Sequence, residues 1–152
     1  MTSDLVSARL ALALRDAGLR WTPAAGDRFV IPQPALAGQV FTLSDMTIEA
    51  HEFPSGTVLG FNGTTEWALD SVAKDEALWL PREDQLRELL GRTFVALVRE
   101  VAGDVVTYVV TTHQGEHGTE GVDRADRAAS AADAYALALL ALVRRATADA
   151  HA

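Results

Sequence analysis

Cysteine is absent from this chain, which excludes a disulfide, a thiolate metal site and a cysteine nucleophile. That absence suits a reducing compartment. Lysine occurs once, at Lys74, and every other basic residue is arginine. A phosphate-binding loop needs its lysine beside a glycine-rich turn. Lys74 lies away from both glycine clusters, Gly60 to Gly63 and Gly115 to Gly121, so that motif is excluded. Neither the G-x-G-x-x-G spacing nor a G-x-S-x-G elbow occurs. Long apolar runs are missing too, since none nears the roughly 20 residues that cross a bilayer. The short LALAL run at Leu10–Leu14 is flanked by Arg9 and Arg15. We therefore expect no signal peptide, no membrane partner and a cytoplasmic location.

Positive charge is scarce. Thirteen basic residues stand against 21 acidic ones, a net charge of −8. Such a surface repels phosphate backbones, so nucleic acid is excluded as an expected partner. Solubility explains the charge on its own, and a basic protein partner would also suit it. The 152 residues are 49% hydrophobic and 22% charged, enough to bury a core without staples. One domain is expected over 1–146, with 147–152 a frayed tail.

The periodicity gives an α+β order. Residues 3–17 form a predicted amphipathic helix capped by Ser3 or Asp4, with Val6, Leu10, Ala13, Leu14 and Ala17 on one face. Gly18 supplies a left-handed exit, and Trp21 drapes over a sheet. Short strands are predicted at Arg28–Ile31, Gln39–Leu43 and Thr47–Phe53. Asn62-Gly63 is a two-residue hairpin signal; it sets Leu59 opposite Glu66 and Val58 opposite Trp67. A second helix is expected over Pro81–Leu90, with Leu86, Leu89 and Leu90 buried. Thr93–Val101 and Val105–Thr112 form a hairpin that is apolar on both faces, so it is expected to be central, with helices covering at least part of the second face. His113–Gly121 is a polar loop. Ser130 to Asp133 matches a capping box for a last helix running to about Arg145. The expected fold is a single α+β domain: an antiparallel sheet of about five to seven strands packed with three helices, in the order α-β-meander-α-ββ-α.

Few side chains suggest chemistry. His113, Glu116 and His117 match H-x-x-E-H, in which a helix aligns two zinc ligands and a glutamate. Glycines at 115, 118 and 121 interrupt the stretch, so a solvated loop is the preferred reading and no metal or cofactor is expected. Glu66, Asp70, Asp75 and Glu76 supply carboxylates that a hydrolase could use as acid and base, with His51 as a further candidate in such a pocket. Trp67 and Trp79 either line a ligand site or, as preferred, form core. Glu66, Trp67, Asp70 and Trp79 thus define a candidate binding surface, with no catalytic residue assigned.

The segments DAGLRWTPAAGDRF, FNGTTEWALDSV, WLPREDQLRELLG and AYALALLALV cover much of the chain. In them the sequence resembles short actinobacterial proteins that go under the label "pilus assembly protein CpaE". The longer proteins of that name carry an ATPase domain of the MinD/ParA type, whose phosphate-binding loop this chain lacks. The resemblance implies a link to pilus or secretion machinery and assigns no residue a role. The leading expectation is a non-enzymatic cytoplasmic protein-binding or accessory module, monomeric or homodimeric, whose protein partner is unknown. Two alternatives are a small-ligand enzyme or hydrolase using the carboxylates near the hairpin, and an acidic immunity-type inhibitor of a basic toxin.

Overall fold

The computed structural model describes residues 4–43, 48–53, 56–61, 71–73, 76–115 and 120–152, with strands 48–53, 56–61 and 71–73 described as backbone alone. The elements in order are α1 (Ala8–Asp16), β1 (Arg28–Val30), β2 (Val40–Thr42), β3 (Ile48–Phe53), β4 (Gly56–Phe61), β5 (Ser71–Ala73), β6 (Leu78–Leu80), α2 (Glu83–Leu90), β7 (Phe94–Ala102), β8 (Val105–Gln114), β9 (Val122–Ala128) and α3 (Ala131–Ala150). The protein is α+β, with three α-helices and antiparallel sheets among the described residues. No described sheet exceeds three strands. The expected sheet of five to seven strands is thereby corrected: the strands are divided among β2-β1-β6, β3-β4-β5 and β7-β8-β9. Several are three residues long. Two compact units emerge, residues 1–19 with 82–152, and residues 20–81.

In the first unit, α1 starts at Ala8, later than the expected residue 3. Leu5 is held in an antiparallel bridge to Arg82, and the Ser7 backbone N–H donates to Asp133 Oδ1 at 2.7 Å. These bonds keep the entry extended. The helix ends in the anticipated way: Gly18 has φ 112, its N–H donates to Arg15 O, and Leu19 N–H donates to Leu14 O at 2.9 Å. That bond pair is a Schellman motif. Helix α2 also starts later than expected, at Glu83, where the Arg82 backbone N–H donates to Gln85 Oε1 at 3.0 Å. Leu86 and Leu90 are buried, but Leu89 is exposed. So short a helix buries one narrow i, i+4 stripe, and Leu89 falls off it.

Helix α3 lies at the centre of this unit, touching α1, α2, β8 and β9. Ala132, Ala134 and Ala136 are fully buried, their small side chains letting neighbours approach closely. Ser130 Oγ caps it by accepting from Asp133 N–H at 3.1 Å. The Asp133 carboxylate does not complete the expected box; it accepts from Ser7 instead. The helix continues to Ala150, correcting the expected end near Arg145. Its alanine-rich end has high helix propensity, and Thr147 Oγ1 donates to Val143 O.

In the second unit, β1 is central between β2 and β6, with Phe29 opposite both Phe41 and Trp79. Trp21 closes over this row, stacked on Trp79 at 6.3 Å and 8° and tilted against Phe29 at 5.6 Å. The buried Asp27 carboxylate accepts from Trp21 Nε1 at 2.8 Å and from Ala24 N–H at 3.0 Å. Ile31, Leu36, Leu43 and Ala77 fill out the core. In the other sheet β4 is central. Leu59 opposes Ala50 on β3 and Val72 on β5, while Val58 opposes His51 and Ala73. Both edges of β4 are therefore taken there, so the expected pairing of Leu59 with Glu66 and of Val58 with Trp67 is corrected. The segment between Phe61 and Ser71 is longer than a two-residue turn, and Asn62-Gly63 lies in it, outside the described residues.

Candidate functional site

The expected hairpin of β7 and β8 has a third strand, β9, where the sequence suggested a loop and a helix entry. Gly103 takes the first turn position with φ 61 and joins Ala102 to Val105, as glycine does in a tight hairpin turn. Register fixes the two faces, because residues directly opposite point the same way. Leu97, Val110 and Asp126 share one face; Val98, Val109 and Arg127 share the other.

The first face is packed. Val110 is fully buried and Thr112 and Asp126 nearly so; Phe94 meets Tyr135 of α3 at 5.7 Å. Asp126 accepts a two-pronged bond there from Arg124, Nε and Nη2 each at 2.9 Å. This pairing also raises the Arg124 pKa. Charge-assisted bonds of this forked kind are the strong ones.

The second face is largely open, where helices were expected over at least part of it. Helix α3 covers the first face, with Tyr135 against Phe94, and α1 and α2 pack on α3. Val98 is 47% exposed and Val105 is 64% exposed. The opposite pair Ala102 and Val105 sits at the turn end, with Ala125 towards β9. Val109 alone is buried on this face, since Glu100 and Arg127 join across β8 beside it, Arg127 Nη1 to Glu100 Oε2 at 2.5 Å. A second pair closes the far end, His113 Nδ1 to Asp123 Oδ1 at 2.7 Å. The open face thus carries exposed apolar side chains beside the Arg127–Glu100 ion pair and the His113–Asp123 hydrogen bond.

Among the sequence-derived candidates, His113 is on β8, its ring bonded to Asp123 and laid against glycine backbone. A Cβ on Gly121 would lie 2.3 Å from His113 Nε2. That environment gives His113 a strand-clamping role. Glu116 and His117 lie outside the described residues, as do Glu66, Trp67 and Asp70. Among the described residues, no group of three histidines, aspartates or glutamates is placed to hold a metal ion. Trp79 packs on Trp21 in the second unit's core, and its Nε1 is buried without a hydrogen-bond partner among the described residues. Glu83, at the start of α2, has its pKa raised, first by partial burial and then by Asp4. Asp84 beside it is lowered: slight burial opposes this, but the hydrogen bond and charge of Arg82 outweigh it. These two carboxylates serve the helix terminus.

Sequence reasoning missed β9 because VDRADRA lacks apolar alternation. Its signal was the charge pattern, in which Asp123 complements His113 on β8 and Arg127 complements Glu100 one strand further on, on β7.

The described residues thus define an α+β protein with a three-stranded sheet covered on one face and largely open on the other. Comparison with family models, curated proteins and solved structures finds no match to this chain.

Proposed function

We propose that the chain is a non-enzymatic protein-binding or accessory module that engages a polypeptide through the open face of its β7-β8-β9 sheet. The supporting observation is that face itself, with Val98 and Val105 presented to solvent beside the Arg127–Glu100 ion pair. Exposed apolar surface rimmed by polar groups is the usual mark of an interaction site. The cytoplasmic location and the link to pilus or secretion machinery belong to the same reading, the latter resting on the sequence resemblance. Apolar contact holds the partner, and the net charge of −8 biases selection towards partners that are not acidic.

The test is capture of native proteins by the immobilised full chain at low and high salt, beside the Val105→Lys variant. One polypeptide retained at both salt levels and lost from the variant is expected. Capture unaffected by the variant, or nothing retained while a small molecule co-purifies, would overturn the reading. A basic partner that leaves at high salt would favour a charge-driven acidic inhibitor instead.

A further inference from the structure

The two edges of the β7-β8-β9 sheet are built differently. Edge strand β9 carries Asp123, Arg124, Asp126 and Arg127 within seven residues, the charged guard that keeps an edge from pairing with another chain. Edge strand β7 is nine residues long and has just Arg99 and Glu100. Val95 and Val101 on it are 52% and 56% exposed, and Val98 lies between them. No proline interrupts it.

We propose that β7 pairs antiparallel with β7 of a second copy of this chain, giving a two-fold dimer with a continuous six-stranded sheet. The arrangement of charge selects this occupant. In a sheet that continues through a two-fold axis, opposed residues must share a face, so the axis must pass through a residue pair of one kind. Centring on Arg99 or on Glu100 sets like charges directly opposite, which is destabilising. Centring on Val98 sets Val98 against its twin, Arg99 against Leu97 and Glu100 against Ala96, with no like charges opposed. It also keeps these pairs clear of the bulge between Phe94 and Ala96. Centring on Leu97 also opposes no like charges but sets Arg99 and Glu100 against Val95 and Phe94 at the bulge, and centring on Val101 overlaps only the strand's end, so charge and bulge together favour the Val98 register. A single strand pair buries less than the roughly 1,200 Å² of a stable interface, so the dimer forms in the micromolar range or weaker. The same axis doubles the open face, setting two copies of it side by side.

Analytical ultracentrifugation of the full chain over a wide concentration range tests this. The expected result is a concentration-dependent rise from 16.3 kDa towards twice that mass, abolished by Val98→Lys with the far-ultraviolet dichroism unchanged, and left intact by Val122→Lys on β9. Should Val98→Lys fail to fold, Val98→Cys gives a second readout. In this cysteine-free chain mild oxidation is expected to yield a covalent dimer through the axis, and Val122→Cys is not. A chain monomeric at every concentration, a dimer that survives Val98→Lys, or a dimer lost through Val122→Lys alone would overturn the proposal. A monomer that still captures a partner through Val105 would sink the dimer and leave the proposed function standing.

Discussion

Asp27 shows how far one side chain carries its unit. Its carboxylate accepts from Trp21 Nε1 and Ala24 N–H, while its backbone carbonyl accepts from Leu43 N–H at 2.7 Å. Asp27→Ala would strand buried donors, at about 1–3 kcal/mol for an unsatisfied group. Urea unfolding followed by tryptophan fluorescence is expected to show a loss of about 2 kcal/mol, with Asp27→Asn losing less because it keeps an acceptor. Gly121 is constrained by space. An added methyl would lie 2.3 Å from His113 Nε2 and 2.7 Å from Gln114 O. Backbone cannot swing aside as a side chain does, so Gly121→Ala is expected to destabilise by about 1–3 kcal/mol in the same assay. Neither role was visible from the residues alone. Asp27 read as part of a loop, and His113 and Gly121 as part of a polar, glycine-rich one, because their partners are set by tertiary packing.

Elements were legible where their signals are local. The left-handed Gly18, the Gly91 stop of α2 and the Ser130 cap of α3 all act within a turn or two of chain. Strand pairing was less so. An Asn-Gly pair fixes a register when two residues make the whole loop, and here the partner of β4 lies further on, at Ser71–Ala73. Strand β9 was hidden because it offers charge complementarity to its neighbours, with no periodicity of its own. Helix α2 makes a prediction at this scale. A glutamate whose pKa is raised on folding binds its proton more tightly in the folded state. Protonated Glu83 therefore contributes stability that is fully present below the unfolded value near 4.5 and is lost as pH rises through the higher folded value. Glu83→Gln is thus expected to gain on the parent chain between pH 4 and pH 7, by a few tenths of a kcal/mol given solvent screening. Urea midpoints at the two pH values check this; a variant that falls behind the parent on going to pH 7 would contradict it.

For the whole molecule, the expectation of a single domain over 1–146 meets a chain with two compact units. Chromophores separate them cleanly. All three tryptophans lie within residues 20–81, and all three described α-helices lie outside that range. Tryptophan fluorescence therefore reports one unit, and helical dichroism reports the other. Single-domain behaviour predicts coincident thermal transitions by the two probes, and separated midpoints would contradict it. The α+β class was legible in the sequence. The division of strands into three small sheets was not, since which strands join depends on contacts far apart along the chain.

The central claim, that association runs through the unguarded side of the β7-β8-β9 sheet, is tested most directly by amide hydrogen exchange at low and high protein concentration. The account predicts that outward amides of β7 around Val98 gain protection as concentration rises, while β9 amides do not change. Exchange along β7 that is independent of concentration, with protection gained on β9 or a helix instead, would contradict it.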